Sequence, residues 1–156
     1  MINIMFICHG NICRSPMAEF VFRDMVQKHG LGTKFHIASS ATSTEEIGNP
    51  VHNGTVKQLE MRGISSYGKY AVQLKKNDYE EYDFLIGMDS VNVHNICRIT
   101  NKSINDTKIF KLLDLTDSPR DIADPWYNGD FDTTYKDVLY GCEALLKYLY
   151  INNFIK

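Results

Sequence analysis

The sequence predicts a three-layer α/β fold, a parallel sheet with helices on both faces. Three observations lead there. Short apolar runs alternate with helix-like segments, the C-terminal segment carries an apolar stripe at helical spacing, and the first apolar run passes through a Gly/Asn loop into a Ser-Pro helix start. Strands that alternate with helices are joined by right-handed crossovers, which run the strands parallel and cover both faces.

The first strand is Ile2 to Ile7. It reads as a strand and not as a leader, because no basic flank precedes it and no small-residue cleavage site follows. The first helix is expected to open with Ser15 as N-cap and Pro16 at N1, where a missing N–H costs nothing, and to close near His29 and Gly30. A second strand is read at Phe35 to Ser39, and a second helix from about Pro50 to Arg62, before Gly63. Tyr82 to Met88 reads as the third strand, Asp89 through Val93 and Ile96 as the third helix, and Lys108 to Leu112 as the fourth strand. In the last helix Tyr135, Val138, Leu139, Cys142, Leu145, Leu146 and Leu149 fall at spacings of three and four, one stripe for docking on the sheet. Two long polar segments, Ala41 to Asn49 and Thr116 to Asp132, read as binding loops.

Composition fits one domain spanning residues 1–156, with 44% hydrophobic residues to build a core. Seventeen Lys plus Arg against 19 Asp plus Glu leave a formal charge of −2, without a long basic run. Nucleic acid and anionic membranes need a concentrated basic face, so neither is expected as a partner. No apolar stretch approaches the roughly 20 residues of a membrane helix. The four cysteines, Cys8, Cys13, Cys97 and Cys142, are irregularly spaced in a chain large enough to need no staples, so reduced thiols and a cytoplasmic location are expected. No internal repeat or low-complexity tract is present.

The most unusual segment follows the first strand: Cys8-His9-Gly10-Asn11-Ile12-Cys13-Arg14-Ser15. In parallel sheets ligands bind outside the carboxyl ends of the strands. Successive loop N–H groups converging on a helix N-terminus make a nest for a dianion. A cysteine facing that nest has its thiolate favoured by the N–H groups, by the helix dipole and by Arg14, which equips Cys8 as a nucleophile. The guanidinium of Arg14 can fork two N–H groups onto phosphate oxygens. Ser15 can cap the helix or donate its hydroxyl to the Cys8 sulfur, and Gly10 and Asn11 tolerate the positive φ of a tight cradle. On spacing alone, the same residues would also serve as a small buried cysteine and a solvated arginine. A nucleotide P-loop is excluded because no Gly-Lys-Ser/Thr opens the helix, and without a C-x2-C pair there is no seed for a zinc site.

Cys8 to Ser15, continuing as Pro16-Met17-Ala18-Glu19, resembles the phosphate-binding loop and first helix of the low-molecular-weight protein tyrosine phosphatases. Ser40-Ala41-Thr42-Ser43 with Ile47-Gly48-Asn49-Pro50, then Gly87-Met88-Asp89, then Asp124-Pro125-Trp126-Tyr127, are similar to later landmarks of that family, in order and across essentially the whole chain. The resemblance implies a four-stranded parallel sheet and hydrolysis of aryl phosphate monoesters through a phosphocysteine, without metal or cofactor. It implies phosphotyrosine-containing proteins or peptides as substrates and inorganic phosphate as product. It also implies catalytic roles for Cys8, Arg14 and Asp124, with His9, Gly10, Asn11, Ile12, Cys13, Ser15, Glu45, Trp126 and Tyr127 around the substrate.

A tyrosinate leaving group has a conjugate-acid pKa near 10 and needs a proton donor at neutral pH. Asp124 is the candidate: Asp124-Pro125 without context reads as a turn, and the resemblance favours the acid instead. Pro125 fixes the backbone after it, and Trp126 and Tyr127 can flank a phenol ring. Asp117, Asp121, Asp130 and Asp132 are nearby rivals best explained as turn or cap residues. The resemblance further implies that Asn11 and Ser39 or Ser40 hold the cradle's shape; ordinary turn polarity would place the same residues there. Cys13 is either packing or a thiol that traps an oxidised Cys8. Cys97 and Cys142 fit helix core positions, and His29, His36, His52 and His94 receive no role. Three positions depart from the family pattern: His9 at the lip of the cradle, Glu45 in place of an aromatic wall, and Val72 in place of a common Arg. They bear on substrate preference. A phosphoarginine phosphatase on the same fold is the rival enzyme, and it typically has Thr where this chain has Ile12. A phosphate-binding module without turnover is the rival from another class.

Overall fold

The computed structural model describes residues 1–156. Four parallel strands, β1 (Ile2–Cys8), β2 (Phe35–Ala41), β3 (Phe84–Gly87) and β4 (Ile109–Lys111), form one sheet in the order β2-β1-β3-β4. The helices are α1 (Arg14–Lys28), α2 (Asn53–Glu60), α3 (Asp78–Glu81), α4 (Ser90–Thr100), α5 (Pro125–Asn128) and α6 (Phe131–Ile151). Because β1 is central, the chain leaves its two sides in opposite directions, and a crevice opens at its carboxyl end.

Strand parity divides the core. Ile4, Phe6 and Cys8 of β1, with Phe84 and Ile86 of β3, face α1 and α6. Met5 and Ile7, with Leu85 and Ile109, face Val93, Ile96 and Cys97 of α4. Cys8 therefore projects to the side on which α1 begins. The stripe of α6 buries Val138, Cys142, Leu145, Leu146 and Leu149 in the larger core, with Tyr135 and Leu139 half-buried at its margin. No helix is long and apolar enough to cross a membrane.

Several boundaries differ from the sequence expectation. Helix α1 starts at Arg14 with Cys13 at the cap position, so Ser15 lies inside the first turn and caps nothing. Its hydroxyl is taken by Cys8 and Asn11, and Pro16 is accommodated because the third N–H of a helix also lacks an intrahelical acceptor. Helix α2 is shorter than Pro50 to Arg62, because Pro50 is held in a bridge with Tyr70 and the chain stays extended to His52, the actual N-cap. Tyr82, Asp83 and Met88 fall outside β3, and Leu112 turns into a 3-10 segment instead of ending β4. Asp89 caps α4 through a reciprocal capping box with Asn92. The short α5 arises within the segment expected to be a binding loop, and α3 where the sequence suggested no element. Asn11 adopts φ 59°, as a tight cradle requires, whereas Gly10 does not have positive φ; a Cβ there would instead press on Glu46.

Gly141 of α6 lies directly against the Leu112 side chain, which an added Cβ would strike. Helix propensity alone would make Gly141→Ala stabilising by about 1 kcal/mol. Overpacking should win, and urea denaturation should show Gly141→Ala less stable by about 1–3 kcal/mol.

Candidate active site

At the carboxyl end of β1, the Cys8 sulfur is ringed by donors. The N–H of Asn11 lies 3.3 Å away and that of Ser15 3.4 Å, while the Ser15 hydroxyl sits at 3.0 Å. Asn11 holds this ring in shape with both ends of its amide. Its Nδ2 donates to Ser15 Oγ at 2.8 Å and to Ser39 Oγ at 2.9 Å, and its Oδ1 accepts from the N–H of Val72 at 3.1 Å. Of the two serines expected to support the cradle, Ser39 meets Asn11 by side chain, whereas Ser40 contributes its carbonyl, at 3.4 Å from Ser15 Oγ.

The Arg14 guanidinium is 2% exposed. Nη1 donates to Asp89 Oδ2 at 2.6 Å and to the Ile122 carbonyl at 2.8 Å, and Nη2 lies 3.4 Å from Asp124 Oδ2. Burial by itself would favour the neutral form, but the negative charges of Cys8, Asp89 and Asp124 overcome it and hold Arg14 charged more firmly than usual. Asp124 caps α5: its Oδ1 accepts from the N–H of Trp126 at 3.0 Å, which leaves Oδ2 facing Arg14.

One cavity collects most of the residues the sequence singled out. Its floor is Cys8, Gly10, Ile12, Cys13 and Arg14; its rim is His9, Glu45, Asp124, Trp126 and Tyr127, joined by Glu46. Asn11 and Ser15 are fully buried and bond around the Cys8 sulfur. Trp126 and Tyr127 are 55% and 82% exposed, and His9 Nε2 meets Glu45 Oε2 at 3.0 Å across the mouth. The rival aspartates lie elsewhere: Asp121 binds Lys111 and Ser90, Asp130 caps α6, and Asp132 accepts from Gln58.

Sequence reasoning missed three side chains. Asp89, which the sequence offers as a helix start and as part of the Gly87-Met88-Asp89 landmark without a role, is the shortest partner of Arg14. Glu19, on α1, is buried and accepts from Ser39 Oγ at 2.6 Å and from Arg23 at 2.6 Å. Lys69 closes this network from the loop before Ala71, donating to the Ser39 carbonyl at 2.9 Å, 3.8 Å from Glu19; burial pushes its ammonium below the usual lysine range, against the pull of Glu19. Glu19 belongs to the Pro16-Met17-Ala18-Glu19 run that carries the family resemblance, but its i,i+4 spacing to Arg23 looks like a solvated surface pair.

The four cysteines are free and buried. Burial, and then the charge of Cys8, push the Cys13 thiol up to about 12, and burial drives Cys142 upward as well. Both therefore stay protonated at neutral pH.

An α/β protein with an anion cradle at a sheet's carboxyl edge, a buried arginine beneath it and a carboxylate across it is a phosphate-ester-handling scaffold. The sequence profile of the low molecular weight phosphotyrosine protein phosphatases matches residues 3–153. The chain is 39% identical over 148 residues to the low molecular weight protein-tyrosine-phosphatase YfkJ of Bacillus subtilis, covering 94% of each. The crystal structure of YfkJ superimposes with a TM-score of 0.93, over 97% of this chain and 96% of that one, at 38% identity. A low molecular weight protein tyrosine phosphatase from Streptococcus pyogenes gives a TM-score of 0.84 at 39% identity, over 96% of this chain and 93% of that one. The chain belongs to the low molecular weight phosphotyrosine protein phosphatase family.

Iodoacetamide at pH 7.5 should label Cys8 and leave Cys13 and Cys142 unmodified in peptide mass maps, since only thiolates react and only Cys8 is ringed by donors within a cavity. Saturating inorganic phosphate should protect Cys8.

Proposed function

We propose that the chain hydrolyses phosphotyrosine in proteins or peptides, with Cys8, Arg14 and Asp124 as its catalytic residues. The observation that carries this reading is the placement of Arg14, which contacts the carboxylate of Asp124 and lies with the donor-ringed Cys8 sulfur in one cavity. A nucleophile, an anion clamp and a proton donor thus converge on a space lined by aromatic side chains.

The Cys8 thiolate attacks phosphorus, forming the S–P bond as the bond from phosphorus to the tyrosyl oxygen breaks. Asp124 delivers a proton to the departing oxygen, and Oδ2 is the oxygen for it, because Oδ1 is held by the Trp126 N–H. The Arg14 fork and the loop N–H groups bind the equatorial oxygens, where charge is spread in the transition state. In the second step Asp124, now a carboxylate, takes a proton from water as that water attacks phosphorus. The S–P bond breaks, and inorganic phosphate and the Cys8 thiolate are released. The Ser15 hydroxyl, 3.0 Å from the sulfur, stabilises the thiolate both as nucleophile and as leaving group.

His9, Gly10, Ile12, Cys13 and Glu45 shape the entrance, and Trp126 and Tyr127 flank the phenol ring. Ile12, buried in the floor, supports tyrosine over arginine as the leaving group, because its branched side chain occupies space that a guanidinium would need. The free state of all four cysteines supports action in the cytoplasm.

Cys8→Ser should abolish turnover while retaining phosphate binding. Asp124→Ala should slow phosphoenzyme formation from a phosphotyrosine peptide by about 10²- to 10⁴-fold, and from p-nitrophenyl phosphate much less, because p-nitrophenolate leaves without help. Single-turnover kinetics measure both. Equal slowing of the two substrates would remove Asp124 as the acid, and a parent preference for phosphoarginine would replace the substrate.

A further inference from the structure

The cradle and the acid come from opposite parts of the chain, and an imidazole outside the reacting centre joins them. His52 lies in the extended segment before α2. Its main-chain N–H donates to the Ile12 carbonyl at 2.8 Å, which ties it to the cradle loop. Its ring stacks on Phe131, the first residue of α6, at 5.0 Å and 19°. The same ring meets Trp126 in an edge-to-face contact at 5.7 Å and 82°. The N–H of Trp126 in turn holds Asp124 Oδ1 at 3.0 Å.

These contacts form a continuous bridge: Ile12 carbonyl, His52, Trp126, Asp124. The imidazole is oriented within it, because Nδ1 accepts from the Gly54 N–H at 3.0 Å, which puts the proton of the neutral ring on Nε2. Packing constrains the position further: a Cβ on Gly54 would collide with the Phe131 ring, so the first turns of α2 and α6 meet beside His52. Thr55 adds a second tie, donating to the Cys13 carbonyl at 2.9 Å.

We propose that His52 is a positioning residue for the general acid, acting through the Trp126 ring to set where Asp124 stands over the cradle. This rests on the assignment of Asp124 as acid. Arg14 holds the chain ahead of α5 at the Ile122 carbonyl and, at 3.4 Å, at Asp124, but the turn beyond has few other anchors. Trp126 is half exposed, Tyr127 is more so, and of the turn's four residues only Pro125 is buried. Without the imidazole, the turn keeps its internal cap but loses a wall that fixes its direction. A displacement of about 1 Å at a reacting group can cost on the order of 10²-fold in rate.

Two variants separate the ring from its hydrogen bond. His52→Asn keeps an acceptor for the Gly54 N–H and removes the ring, whereas His52→Phe keeps the ring contacts and removes the acceptor. In single-turnover measurements His52→Asn should slow phosphoenzyme formation from a phosphotyrosine peptide about tenfold more than from p-nitrophenyl phosphate. His52→Phe should restore the parent ratio of the two rates. Trp126→Ala should shift the ratio in the same direction and add little in combination with His52→Asn. If His52→Asn slows both substrates by one common factor, or if His52→Phe shifts the ratio as far as His52→Asn, the positioning role is overturned. Asp124→Ala, run in parallel, tells the two failures apart. If it shifts the ratio while His52→Asn does not, His52 alone is wrong; if it too leaves the ratio unchanged, the acid assignment has failed.

Discussion

A guanidinium that is almost wholly buried is the constraint on which the architecture around the site depends. An unpaired charge in that position would cost several kcal/mol, so partners must be supplied from whatever elements surround it. Arg14 receives Asp89 from the end of β3, the Ile122 carbonyl from the segment before α5, and Asp124 at the edge of the cavity. Two segments distant in sequence, one at Asp89 and one from Ile122 to Asp124, are thereby fixed relative to the first turn of α1. The remaining side of the guanidinium environment faces Cys8 across the cavity.

Beneath the cradle a second polar network does comparable work, beginning with uncharged groups and ending on a buried carboxylate. Asn11 sits at positive φ and spends both ends of its amide on Ser15, Ser39 and Val72. Ser39 passes the network to Glu19, whose own charge is met by Arg23 and, at longer range, Lys69. Buried polar networks of this kind are favourable only when every member is satisfied, and here they are. The loop whose N–H groups ring the Cys8 sulfur is thus held from below by the side chains of Asn11, Ser39 and Glu19.

Much of this was legible in sequence where local rules decide. The α6 stripe follows from spacing, and the loop from Cys8 to Ser15 announces itself by chemistry; Asp124-Pro125 by itself reads as a turn, and only the family resemblance singled Asp124 out. Legibility failed where a side chain's partner is remote. Ser15 has the residue type of an N-cap, but a sulfur seven positions away claims its hydroxyl, and the helix begins one residue earlier. Glu19 and Lys69 carry charges that in sequence look solvated. Pro50 is a plausible helix start until its bridge to Tyr70 is seen. In each case a tertiary contact outweighed a local preference worth about 1 kcal/mol or less.

The mouth of the cavity is built on different terms from its floor. Glu45, Trp126 and Tyr127 are largely solvent-exposed, while Arg14, Asn11 and Ser15 are sealed in. Exposed positions tolerate replacement at little cost in stability, whereas buried hydrogen-bonded ones do not. Floor and collar are therefore mechanically separable: a replacement at Glu45, Trp126 or Tyr127 redraws the mouth at little cost to the fold, whereas one at Arg14, Asn11 or Ser15 is felt by the whole molecule.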